Sequence, residues 1–225
     1  MIPIRDDNPK NRTPYVAYGL LGLCVAAYLW QLTLGPAGFQ SVFFSLGLIP
    51  AVLTGHAALP SELATVPPSF TIVTSMFLHG GFLHLAGNLL YLWIFADNVE
   101  DVLGHVRFLV FYLLCGVGAA AAQVLPDPDS VIPMVGASGA ISGVLSAYLL
   151  MFPHARVLVV IPFGFILQVL RLRAVTVLGF WFLLQLLSSL VTTQDSGGVA
   201  FRAHIGGFVA GLALLPLLRP GRRNR

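Results

Sequence analysis

Residues 157–170, VLVVIPFGFILQVL, decide how many times this chain crosses a membrane. The run is apolar almost throughout, yet it numbers only 14 residues and carries Pro162 and Gly164. A helix needs about 20 apolar residues to cross roughly 30 Å of hydrocarbon, so this stretch suits a re-entrant or interfacial loop better than a span. On either side of it lie longer apolar runs, at roughly 15–34, 71–97, 106–125, 136–152, 174–193 and 201–218, which predict six transmembrane helices.

The distribution of charge supports the same count. With six spans and a cytoplasmic N-terminus, the cytoplasmic segments hold Arg5, Lys10, Arg12, Arg107, Arg156, Arg171, Arg173, Arg219, Arg222, Arg223 and Arg225, and only Arg202 falls outside. A seventh span would carry the basic C-terminal tail to the wrong side. Of the 225 residues 57% are hydrophobic and only 9% charged, which excludes a soluble globular domain.

The expected architecture is an all-α membrane protein, one domain over residues 1–225, with short cytoplasmic tails at about 1–14 and 219–225. The first run follows Arg5, Lys10 and Arg12 as a signal peptide would, but its length and the lack of a small-residue cleavage pattern mark it as a retained span. Cys24 and Cys115 lie inside apolar runs and read as small core residues, not as a disulfide or metal pair. Residues 35–70 form a long first outer loop whose Phe39, Phe43, Phe44, Leu46 and Leu48 suit a partly embedded, interfacial position.

Ionisable and strongly polar side chains are costly in hydrocarbon, so those within the spans carry a functional expectation. They are His79, His84 and Asn88 in the second span, Ser138 in the fourth and His204 in the sixth, with Asp97, Glu100 and Asp101 where the second span ends. Ser138 sits in Gly136-Ala137-Ser138-Gly139, where an acidic, proline-containing loop gives way to a helix. A helix N-terminus offers unsatisfied N–H groups and the positive end of the dipole to a developing oxyanion. A serine N-cap or a small packing residue explains the tetrapeptide alone better.

His204 changes that balance, because it lies within about a turn of the end of its own span, at the depth of Ser138. Small residues at Gly139, Gly143 and Ala147 in the fourth run and at Gly206, Gly207 and Gly211 in the sixth let the two backbones approach closely. A histidine that takes the serine proton makes a competent nucleophile, and with no acidic residue at that depth the pair reads as a dyad. His84 and Asn88, four residues apart, point to one helix face and can donate to an oxyanion together. His79 falls about 140° away if the helix continues through Gly80-Gly81, which gives it a structural role. The alternatives for the histidines are a bundle-stabilising polar network or a metal site, and no HExxH signature is present.

Taken together, His79-x4-His84-x3-Asn88, the GASG around Ser138 and the AHIGG around His204 resemble the signature of rhomboid intramembrane proteases, over about Phe70 to Leu218. The resemblance implies Ser138 as nucleophile and His204 as general base. It makes His84, Asn88 and the Ser138 backbone N–H the oxyanion hole, and gives His79 and Glu100 structural positions. It further implies a single-pass transmembrane substrate that enters laterally past the fifth span, where Phe180, Trp181 and Phe182 would form the gate, and is cut near its outer end. The implied partners are such substrates and the lipid bilayer, with no cofactor, metal or nucleic acid, and the implied location is a bacterial inner membrane.

In two places the chain departs from the family pattern. No Trp-Arg pair stands in residues 35–70, and Ser142 occupies the position where a tyrosine often stacks on the catalytic histidine. The resemblance therefore assigns nothing to order the first loop or to support the His204 ring. Two other classes compete with the protease. An inactive relative that escorts membrane clients would lack the serine or the histidine, and a channel or transporter would spread polar residues through both leaflets.

Overall fold

Apolar segments of this length fold as helices because a helix satisfies every backbone hydrogen bond within itself, without water. A computed structural model describes residues 1–164, 166–191 and 199–220. After a strand, β1 (Ile2–Asp6), the chain forms α1 (Tyr15–Thr33), α2 (Gly35–Leu46), α3 (Pro50–Leu53) and α4 (Thr71–Thr74), the last flanked by tight turns at Pro68–Phe70 and Ser75–Phe77. It continues through α5 (Phe82–Leu103), α6 (His105–Val124), α7 (Ser138–Met151), strands β2 (Arg156–Phe163) and β3 (Ile166–Arg173), α8 (Ala174–Val191) and α9 (Phe201–Leu218).

Each of the six predicted runs thus carries a helix. Among the described residues α1, α6, α8 and α9 are individually long and apolar enough to cross a membrane, and the bent pair Pro68–Phe77 with Phe82–Leu103 makes a fifth if taken as one span. Helix α7 is apolar but only 14 residues long. The end of the fifth predicted run, 192–193, lies outside the described residues.

The second run is not one helix. It bends by 82° between Phe77 and Phe82, at Leu78-His79-Gly80-Gly81. The two glycines carry no side chain to stabilise a further turn, and α5 starts only after them. His79 therefore lies in the break and not on the helix that carries His84 and Asn88.

Residues 157–170 are neither a re-entrant loop nor irregular. Strands β2 and β3 pair antiparallel from Arg156↔Arg173 to Phe163↔Ile166, and β1 pairs with β2 through Ile2↔Val160 and Asp6↔Val157. The fold is a helical bundle to which this three-stranded sheet is added, a departure from the all-α expectation. β-Branched residues at 157, 159, 160 and 161 favour the pleat, and a hairpin satisfies between strands the backbone groups that a segment too short to span would leave bare. Gly164 supplies the turn at φ 57°, where a side chain would strain. Val157 and Val159 are fully buried and join the core of the bundle.

The N-terminal segment read from the sequence as a tail is tied down at many points beyond β1. The Lys10 ammonium meets the Asp97 carboxylate at 2.9 Å. Asn11 donates to Asp101 from its backbone and its side chain. The buried Glu100 carboxylate accepts the backbone N–H groups of Val16 and Ala17, at 3.0 and 2.7 Å, and pairs with the His105 ring at 2.6 Å. A carboxylate on the first N–H groups of α1 is the arrangement that the helix dipole favours.

The Tyr148 hydroxyl donates to Asp6 at 2.5 Å. Burial, with a smaller contribution from the Asp97 carboxylate and against the opposing hydrogen bond from Tyr148, pushes the Asp6 carboxyl up from 3.8 to about 6. A folded-state value above the unfolded one means that folding favours the protonated acid, so this contribution is full below about pH 4 and is lost as pH rises through about 6. Asp6→Asn, which stays neutral, is expected to abolish this pH dependence and keep the neutral form's stability throughout. The thermal midpoint of the variant should exceed wild type at pH ~7.5 and converge with it below about pH 4. A difference between the two proteins that does not change with pH would contradict this.

The long first loop is tied down by hydrogen bonds and ring packing. Leu48 and Met134 exchange both N–H···O bonds, at 3.0 and 2.8 Å, and the Thr74 hydroxyl donates to the Leu46 carbonyl at 2.6 Å. Phe39 packs edge-on against Tyr28 of α1. These bonds tie the loop to the segment that leads into Ser138, in a chain without the Trp-Arg pair.

Candidate active site

Helices α7 and α9 meet through glycine. A Cβ added at Gly207 would strike the carbonyl of Gly139, and one at Gly143 would lie 2.5 Å from the Cys115 Cβ and 3.0 Å from the Gly207 carbonyl. The two backbones are therefore in direct contact, which only residues without side chains allow. This contact sits one residue beyond Ser138 on α7 and three beyond His204 on α9.

As a result the two side chains meet. His204 Nε2 stands 2.7 Å from Ser138 Oγ, and His204 is buried. Ser138 is the first residue of α7, so the leading N–H groups of that helix, which lack intrahelical partners, surround it. The Ser142 hydroxyl donates back to the Ser138 carbonyl at 2.7 Å.

The His204 ring is held instead from α8. Its Nδ1 lies 2.7 Å from Gln185 Oε1, and the Trp181 ring stands 5.9 Å from it at a 35° tilt. Sequence reasoning missed Gln185. The signal was present, since it is the one amide in the fifth apolar run, and a polar side chain in hydrocarbon carries a functional expectation. A search confined to acids and histidines passes over it.

His84 and Asn88 line the same cavity as Ser138 and His204, a space of about 1020 Å³ bounded also by Gly136 and Trp181. The Gly80 N–H donates to His84 Nδ1 at 3.4 Å, which leaves the proton on Nε2. That Nε2 would lie 2.7 Å from a Cβ at Gly136, so the position excludes any side chain, and Gly136 also takes φ 121°. Asn88 Nδ2 is buried and has no hydrogen-bond partner among the described residues.

His79 is placed elsewhere, in the break before α5. Its backbone N–H donates to Gln31 Oε1 at 3.0 Å and its carbonyl accepts from Gln31 Nε2 at 3.2 Å, so α1 clamps the break through one amide. Its ring stacks edge-on against His84, 5.2 Å between centroids. No group of three His, Cys, Asp or Glu among the described residues is arranged to hold a metal ion. Of the predicted gate residues, Phe182 stacks on Phe208 at 4.0 Å, Trp181 faces the histidine and Phe180 is exposed.

The Rhomboid domain model matches residues 68–221, more than half of the chain and the whole stretch from the break before α5 to the end of α9. The chain belongs to the rhomboid family. Rhomboid relatives come from several lineages. RHOMBOID-like protein 5 of Arabidopsis thaliana is 32% identical over 118 residues, 52% of this chain and 38% of that protein. Rhomboid protein 1, mitochondrial, of Saccharomyces cerevisiae is 31% identical over 156 residues, 67% of this chain and 39% of that protein. Putative rhomboid protease YdcA of Bacillus subtilis is 33% identical over 111 residues, 49% of this chain and 55% of that protein. The chain spans about two fifths of the length of the first two of these rhomboid proteins.

Proposed function

We propose that this integral membrane protein is an intramembrane serine endopeptidase that cuts single-pass transmembrane helices with Ser138 as nucleophile and His204 as general base. The 2.7 Å approach of His204 Nε2 to Ser138 Oγ, between side chains 66 positions apart, carries the reading. A rhomboid relative named as a protease agrees with it.

In this mechanism the Ser138 proton passes to His204 Nε2 as Oγ bonds to the scissile carbonyl carbon. The carbonyl oxygen takes the negative charge, and the Asn88 amide, the His84 Nε2–H and the first N–H of α7 receive it. His204 then protonates the leaving amine, and water, deprotonated by the same ring, releases the acyl group from Ser138. The cavity supplies room for an unwound segment of substrate. By the basic-residue count both termini lie on the same, cytoplasmic-type side of the membrane, so the cut falls near the opposite, outer end of the substrate.

Labelling of the purified protein with a fluorophosphonate, followed by mass mapping of the adduct, tests the assignment. The expected adduct is on the peptide that contains Ser138. A preparation that cleaves a transmembrane substrate but carries the adduct elsewhere, or none, would refute Ser138 as nucleophile.

A further inference from the structure

Sequence reading left the imidazole of His204 without support, and a general base needs its ring and its proton held. A neutral histidine accepts the Ser138 proton only in the tautomer with hydrogen on Nδ1, and only if the ring is turned so that Nε2 faces Oγ. The group 2.7 Å from Nδ1 is the side-chain amide of Gln185. Which end of that amide faces the ring follows from its other neighbour. Its Nε2 lies 3.5 Å from the Trp181 carbonyl, one turn back on α8, and a carbonyl can only accept. The amide oxygen is thereby turned to His204 Nδ1, where it accepts the ring N–H.

We propose that Gln185 is the positioning residue of the base. It fixes the Nδ1–H tautomer of His204 and aims Nε2 at Ser138, in the place where other serine hydrolases use a carboxylate. The inference rests on the dyad reading above and extends it to a third helix. Trp181 and Gln185, one turn apart on α8, grip the ring together, the indole against its face and the amide at its edge. In α8 only 17% of the apolar span is buried in the protein, against 39% in α6, so it is the more weakly held of the two. The geometry of the base therefore depends on the seating of α8. A displacement of that helix withdraws the amide from Nδ1 and relaxes the tautomer.

The test uses Gln185→Leu, Gln185→Met and Gln185→Glu in the full chain, with the rate of fluorophosphonate labelling at Ser138 followed against pH. The two apolar variants remove the acceptor and keep the volume. They are expected to label roughly tenfold to a hundredfold more slowly with unchanged thermal midpoints, as the loss of one orienting hydrogen bond to a reacting group would give. Gln185→Glu restores an acceptor and adds charge, so it should recover the rate and move the acidic limb of the profile to higher pH. A merely structural amide would move neither the rate at constant stability nor the limb. Apolar variants that label as fast as wild type, or a Glu variant with an unshifted profile, overturn the role of Gln185 and leave the dyad standing. Wild type that fails to label at Ser138 refutes the dyad instead.

Discussion

Ser138→Ala is expected to reduce cleavage of a reconstituted transmembrane substrate to background, a loss of up to ~10⁶-fold where nucleophile and base act as a unit. His204→Ala should lose nearly as much, because an unassisted serine hydroxyl is a poor nucleophile. The double variant distinguishes this mechanism from two independent contributions. Since the 2.7 Å contact joins the two side chains in one proton transfer, removing both should cost little more than removing either. Rates measured on the three variants in the same vesicles check this. Losses that multiply in the double variant would mean that the two residues do not share a step.

Gly207→Ala should have the largest effect on stability for the smallest change in the chain. The new methyl would land on the Gly139 carbonyl, backbone against backbone, with no flexible side chain to yield. Overpacking of this kind costs about 1–3 kcal/mol or more, and it outweighs the helix propensity that alanine gains over glycine, about 1 kcal/mol. It would also spread α7 from α9 in the layer that holds Ser138 and His204, so activity should fall with stability. Gly22→Ala and Gly179→Ala are the controls, since nothing lies within 4 Å of either added Cβ. They should match wild type or exceed it by up to about 1 kcal/mol, the helix propensity gained without a clash. A Gly207→Ala protein that unfolds and cleaves as the controls do would remove close glycine packing as the cause of the Ser138–His204 approach.

Legibility followed the range of the interaction. The helical segments were plain in the sequence because each is set by a local property, the length of an apolar run, and apart from the second run, which breaks and continues to Leu103, their described ends lie within about two residues of the expectation. The candidate residues Ser138, His204, His84 and Asn88 were legible for a related reason, that hydrocarbon tolerates few polar groups and these stand out in it. The hairpin over 157–170 is not legible in the sequence, because an apolar run too short to span has no periodic signature until its pairing partner is known. Whether the helix continues through Gly80-Gly81 stays open in the sequence, because two glycines weaken a helix without forbidding it, and the clamp on the break comes from Gln31, 48 positions away.

By itself the sequence determined that the chain enters a membrane, which segments become helices there, and which few side chains are chemically able to react. These are consequences of solvent and composition, felt residue by residue. Only the tertiary structure decided that His204 Nε2 faces Ser138, that Gln185 from a third helix holds the other ring nitrogen, and that residues 2–6 join a sheet with 156–173. A hydrogen bond of 2.7 Å depends on how closely whole helices approach and how they are turned, and that is set by packing among residues far apart in the chain.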